Sequence, residues 1–243
     1  MLRALPWQIN ANPARFCRTA VSFPPSSGFG GVMRSPTTRE WIIGATAVSL
    51  GMVLAIGVLT PPGERVALAL RATARWSFLW FWLASTGGAL CTLFGPKFQA
   101  LAQRARDFGL AFASAHLVHI GLAVFLLYVL AAPFPLPKLI FFAVGAFWVY
   151  LLALLSIKRV AAMLQPRVQP RAWRIVRSIG VEYITLVFLF DFYQGPFQGG
   201  LKNLVIYLPF LMLATAGPVL RIAAGLKRRA RDQAAVGLER RIS

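Results

Sequence analysis

The sequence predicts an all-α protein, a polytopic bundle of six transmembrane helices. Of its 243 residues 58% are hydrophobic and only 14% are charged, and the mean hydropathy is +0.64. A soluble domain is about one quarter charged, so these values exclude a soluble enzyme. The formal net charge is +19, but the charged residues are confined to short segments between long apolar runs. We therefore expect no nucleic-acid partner.

Four of the six predicted spans are strongly apolar. A bilayer core of about 30 Å requires roughly 20 apolar residues at 1.5 Å rise, and residues 41–60, 76–94, 109–132 and 139–157 meet this length. Proline and glycine follow the first two spans, at positions 61–63 and 95–96. In the third span the ionisable groups are two histidines, and Lys158-Arg159 closes the fourth.

The last two spans are interrupted. The fifth, residues 178–193, contains Glu182 and Asp191. Both carboxylates lie near an end of the segment, where a charge is penalised less than at the bilayer centre, so we retain the segment as a helix. The sixth, residues 203–220, contains Pro209, which is expected to kink it.

The distribution of lysine and arginine predicts the orientation. With six spans, 21 of these residues fall on the side that holds both termini and 5 fall on the other side. Positively charged loops remain cytoplasmic. We therefore expect both termini inside the cell and a location in a bacterial-type inner (plasma) membrane.

The flanking segments are polar or basic. Residues 1–40 are predicted to be a flexible, Arg-rich leader, or an upstream extension if translation begins at Met33. Residues 64–75 read as an amphipathic piece on the outer surface, with arginines reaching headgroups. Residues 221–243 form a basic cytoplasmic tail expected to lie on anionic lipid.

Two histidines are the residues that most specifically indicate a cofactor or metal site. His116 and His119 are three residues apart in the third span, so both imidazoles lie on one face of the helix. His119 falls about 15 Å deep, close to the bilayer midplane, where polar residues commonly indicate function. Imidazole is a common haem and metal ligand. The alternative is two neutral rings that hydrogen-bond across a helix interface.

The third span and its approach resemble a known family. Arg104, Arg106 and Gly109-Leu110, followed by apolar residues to His119, are similar to the ferric reductase-like transmembrane domain. This family includes the haem-binding membrane subunit of the methionine-sulfoxide reductase type. The match of Trp173, Gly180 and Tyr183 to a later helix supports the resemblance. It implies a b-type haem bound through His119, with Tyr128, Trp148 and Tyr183 as neighbours.

The sequence departs from the family at the partner helix. Arg177 stands where the family has its second haem-binding histidine, and a further histidine falls at Phe190 or Asp191. The chain is therefore identified as a degenerate member. It either binds haem with an altered ligand set or keeps the fold without the cofactor.

The acidic residues suggest structural roles first. Asp107 is expected to cap the third helix at its N-terminus. Glu182 is expected to pair with Arg177 or Arg174, and Asp191 to reach water at the outer edge. Nine residues separate Glu182 from Asp191, which places them on opposite faces of a straight helix. This spacing disfavours a shared proton path.

Three functional hypotheses follow. The first is a ferric reductase-like electron-transfer subunit with one b-type haem at His119 and with His116 as a second cofactor-binding residue. The sequence carries no nucleotide-binding signature, so a cytoplasmic flavoprotein reductase would supply electrons. The second is a non-catalytic membrane subunit or assembly factor of a larger complex. The third is a small-solute or proton transporter.

Overall fold

The computed structural model describes residues 36–131, 133–164, 168–197 and 200–242, and within them the chain is helical without strands. The seven α-helices, in chain order, are α1 (Thr38–Leu59), α2 (Arg65–Phe94), α3 (Gln99–Tyr128), α4 (Leu136–Ser156), α5 (Lys158–Leu164), α6 (Pro170–Phe197) and α7 (Gly200–Ile242). A single 3-10 turn, Pro96–Phe98, joins α2 to α3. The all-α prediction is confirmed.

Within the described residues, five helical segments are long and apolar enough to cross a membrane. They are Thr38–Leu59, Arg65–Phe94, Pro96–Tyr128, Leu136–Ser156 and Asn203–Ala234. These segments indicate a multi-pass membrane protein. Helix α6 is not among the five, because Glu182 and Asp191 interrupt its apolar stretch.

The helix ends differ from the predicted boundaries at several places. Helix α1 begins at Thr38, ahead of residue 41, because Thr37 and Glu40 form a reciprocal capping box. The predicted amphipathic piece at 64–75 is the first third of the continuous helix α2. The basic tail continues helix α7 without a break as far as Ile242. Most of the predicted leader, residues 1–35 with Met33, lies outside the described residues.

Helix α2 is the centre of the bundle. It packs most extensively on α3 and also contacts α1 and α7, while α6 packs on α4 and α7. Gly87 allows the backbones of α2 and α3 to approach closely: a Cβ there would lie 2.9 Å from the carbonyl carbon and oxygen of Leu101. Aromatic residues fill the interior between α2, α3 and α6, with rings 4.9–6.1 Å apart: Phe78, Phe81, Phe112, Phe188 and Phe192.

Polar side chains tie the helices together at the end of the bundle where α1 begins. The Thr38 hydroxyl donates to the Asp107 carboxylate at 2.7 Å, and the Arg106 side chain donates to the Ser156 carbonyl at 2.8 Å. The prediction that Asp107 caps a helix is wrong. Helix α3 begins at Gln99, two turns earlier, so Asp107 lies inside the helix and its carboxylate joins α3 to α1.

Candidate functional site

The two histidines of α3 form a stacked pair. The ring centroids of His116 and His119 are 5.1 Å apart and their planes differ by 23°. Phe112 and Phe188 contact the His116 ring at 5.3 Å and 6.0 Å. The face shared by positions i and i+3 of a helix produces this pairing, as the sequence predicts. The histidines differ in their surroundings, because aromatic rings pack around His116.

Two hydroxyls of α2 orient the imidazoles. Thr73 Oγ1 lies 3.2 Å from His119 Nδ1, and Ser77 Oγ lies 3.1 Å from His116 Nδ1. Each hydroxyl also donates to a carbonyl of its own helix, Thr73 to Ala69 at 2.8 Å and Ser77 to Ala74 at 2.9 Å. Thr73 and Ser77 are completely buried.

These contacts are compatible with a defined tautomer of each ring. A hydroxyl has a single hydrogen, and both hydroxyl oxygens also lie within hydrogen-bonding distance of a carbonyl of their own helix. Where the hydroxyl donates to that carbonyl, its oxygen accepts from Nδ1–H of the histidine, and Nε2 carries the lone pair; where it donates to Nδ1, the ring proton is on Nε2. In metal sites, hydrogen bonds of this kind fix the orientation of a ligating histidine.

The imidazoles face a cavity of about 380 Å³. The walls are mainly apolar and come from α2, α3, α4, α6 and α7. Val149, Val187 and Phe188 form part of these walls. Arg71, Arg75, Asp191 and Gln194 supply charged and polar groups towards the end where α2 begins and α6 ends. The volume lies within the range of about 300–1,000 Å³ typical of ligand sites.

The donor set fits a haem with one protein ligand. His116 and His119 project from the same helix face, so they cannot bind the two axial positions of one iron. A mainly apolar cavity bordered by His119 would suit a haem held by one histidine, and the haem would supply one-electron redox chemistry there. A small metal ion has less support, because the described residues contain no group of three His, Cys, Asp or Glu side chains that could hold one.

The other residues expected beside a haem lie elsewhere. Tyr128 is 82% exposed, Trp148 packs against Gly180 of α6, and the Tyr183 hydroxyl donates to the Phe141 carbonyl at 3.2 Å. None of these three aromatic side chains lines the cavity. These three side chains are therefore not placed to contact a ligand in this cavity.

The partner helix contributes a carboxylate to the cavity and no imidazole. Arg177 is exposed and does not line the cavity, whereas Asp191 does. Of positions 177, 190 and 191, at which the predicted resemblance would require histidines, position 191 lines the cavity and the other two do not. In this chain position 191 is an aspartate.

Glu182 lies near the middle of α6, nine residues before Asp191. Two nitrogens of Arg221 donate to its carboxylate at 3.0 Å and 2.7 Å, and Arg221 also donates to Thr185. The prediction that Glu182 pairs with Arg177 or Arg174 is wrong, because its face of α6 packs against α7. A bidentate ion pair gives Glu182 a structural role in joining two helices.

Sequence analysis missed the residues of α2 that complete the site. Thr73 and Ser77 are four residues apart on the helix that follows α1, a spacing that places both hydroxyls on one face. The predicted span began at residue 76, so Thr73 was assigned to a surface piece. Arg75 was expected to reach headgroups, but its guanidinium lies 4.4 Å from the centre of the Tyr207 ring inside the bundle.

Comparison with protein-family models, curated proteins and solved structures finds no match to this chain. The class that the fold defines is a helical, multi-pass membrane protein with a mainly apolar cavity that carries charged and polar groups at one end. The resemblance to the ferric reductase-like domain stays a prediction based on short motifs.

Proposed function

We propose that this chain is a six-helix membrane electron-transfer subunit whose cavity holds one b-type haem on His119. The observation that carries the proposal is the pair of imidazoles that line a mainly apolar cavity, each with its Nδ1 beside a hydroxyl of α2. In the proposed tautomer Nδ1–H donates to that hydroxyl, which leaves the Nε2 lone pair for iron. When bound, haem iron supplies a one-electron redox centre in the membrane.

The geometry favours His119 over His116 as the ligand. Aromatic rings of α3 and α6 pack against His116, while His119 is one turn nearer the polar end of the cavity. Thr73 fixes the His119 ring, and His116 stacks against it and limits its rotation. The apolar walls exclude water, which lowers the local dielectric and favours a neutral ligand ring.

The membrane arrangement is part of the proposal. We place α6 as a sixth span and both termini in the cytoplasm of a cell with a bacterial-type inner membrane. The basic side then faces a cytoplasmic electron donor, and the charged end of the cavity faces outwards. A flavoprotein reductase is the donor class that suits a chain without a nucleotide-binding signature of its own.

Absorption spectroscopy tests the haem proposal directly. Protein purified in mild detergent from cells with ample haem precursor should show a Soret band and a high-spin ferric signal, since the protein offers one axial ligand. His119→Ala should abolish the band, and added imidazole should restore it if the cavity is intact. Asp191→Ala, which changes another cavity residue, should retain it. A colourless protein that takes up no added haemin would refute the proposal.

A cofactor-free subunit is the second candidate. The observation that favours it is the absence of a cavity imidazole on the described part of α6, where Asp191 stands. This candidate predicts a colourless protein that co-purifies with a larger membrane complex. A stable, haem-loaded chain that purifies alone would exclude it.

A further inference from the structure

Arg75 is a partly buried cation. Its Nε is buried without a hydrogen-bond partner. The guanidinium carbon lies 4.4 Å from the Tyr207 ring centre and 5.6 Å from that of Phe210. Aromatic faces attract a cation, but they do not supply an acceptor for the buried Nε–H. An anion that pairs with this guanidinium would offset the cost of the unpartnered group.

The charges around Arg75 leave a local positive excess. Arg71 lies one helical turn earlier on α2 and lines the same cavity, and the carboxylate among the lining residues is that of Asp191. Asp191 lies within electrostatic reach of both arginines, but in the described part of the chain neither arginine forms an ion pair with it. Two cations therefore face one anion at this end of the cavity.

The remaining walls define the rest of the ligand. Side chains such as Leu126, Leu127 and Val187 make the cavity apolar away from its charged end. A ligand that fits must therefore combine an apolar body with an anionic group at one end. A planar carboxylate matches the bidentate fork of a guanidinium. It also carries one negative charge, so Asp191 repels it less than it would repel a phosphate dianion.

We infer that Arg75, assisted by Arg71, is a carboxylate-binding subsite for an amphipathic acid whose apolar body fills the cavity. Two sources have this chemistry: the propionates of haem, in which case the inference rests on the proposed function, and the headgroup of a membrane fatty acid. In both cases the carboxylate pairs with a side chain of α2, and the apolar body extends from Arg75 towards His119.

The test compares acids with their esters. Cofactor-free protein in nanodiscs of phosphatidylcholine, which has no net charge, is titrated with haemin and with haemin dimethyl ester. Spin-labelled stearic acid and its methyl ester form the second pair. We expect at least one acid to bind about 10- to 100-fold more tightly than its ester, the range of a charge-assisted hydrogen bond. Arg75→Gln should remove this preference, Arg75→Lys should retain part of it, and Lys138→Gln, an exposed cation at the same end, should leave it intact.

The outcomes separate this inference from the proposed function. Haemin that binds no better than its ester, with the fatty acid also indifferent to esterification, overturns the carboxylate subsite and leaves haem binding in place. A fatty acid that binds through Arg75 in a protein that takes up no haemin supports the subsite and refutes the haem proposal. If neither acid binds, the carboxylate subsite and the haem proposal are both refuted. The acid–ester comparison on the unaltered protein tests the preference for a carboxylate even if Arg75→Gln fails to fold.

Discussion

Adding one methyl group at Gly87 should destabilise the bundle, whereas the same change at the next residue should not. A Cβ at Gly87 would lie 2.9 Å from two backbone atoms of Leu101, and a Cβ at Gly88 would meet nothing within 4 Å. Favourable carbon contacts occur at about 3.5–4.0 Å, so α3 would have to move by roughly 0.6–1 Å. Backbone atoms of a helix cannot rotate aside, so the helices must separate.

The matched pair isolates this contact. Both substitutions remove a helical glycine and gain up to about 1 kcal/mol in helix propensity, but Gly87→Ala also incurs about 1–3 kcal/mol of overpacking. We expect the melting temperature of Gly87→Ala to be several degrees below that of Gly88→Ala, at roughly 2–4 °C per kcal/mol for a chain of this size. Heating in mild detergent followed by fluorescence-detected gel filtration measures the difference. Equal midpoints would show that α2 and α3 do not approach as closely as described.

Three further predictions concern the site, an ion pair and the topology. Thr73→Val removes the acceptor for His119 Nδ1–H and should weaken haem binding about 10- to 100-fold in a spectral titration. Thr73→Ser, which keeps the hydroxyl, should restore the affinity. Unchanged affinity for the valine variant would refute the proposed placement of the proton on His119 Nδ1. A double-mutant cycle with Glu182→Gln and Arg221→Gln should give a coupling of about 1 kcal/mol, because Glu182 is half exposed; zero coupling would exclude the pair as a link between α6 and α7. A fluorescent protein fused after residue 243 should fold and fluoresce inside the cell, and an alkaline phosphatase fused there should be inactive; phosphatase activity would contradict the six-span arrangement.

Hydropathy predicts the helical segments well because lipid-facing helices require long apolar runs. The predicted spans 41–60 and 139–157 nearly coincide with α1 and α4. The boundaries of α2 and α3 were less accurate, since both helices extend by several turns into polar sequence. A helix continues past its apolar segment as long as its backbone hydrogen bonds continue. The charge content of the sequence does not indicate the residue at which these hydrogen bonds end. The capping box of Thr37 and Glu40, which sets the start of α1 at Thr38, was not recognised in the sequence.

The candidate site was only half predictable. Helical periodicity places His116 and His119 on one face, and the structure shows them stacked. Their partners are on another helix, and periodicity within one segment does not give the register between two helices. Thr73 therefore had no sequence signal that linked it to His119. The pairing of Glu182 with Arg221 was missed for the same reason, because the nearby arginines of α6 were considered first.

The hydroxyl–imidazole pairs join two helices that are consecutive in the chain and separated by a single turn at Pro96–Phe98. The ribosome therefore completes this helical hairpin before it makes α4, α6 and α7, which supply the opposite walls of the cavity. N-terminal units generally fold first during synthesis, so both rings can be oriented while the chain is still growing. The order of the helices in the sequence thus allows the histidine rings to be oriented before the cavity is closed by α4, α6 and α7.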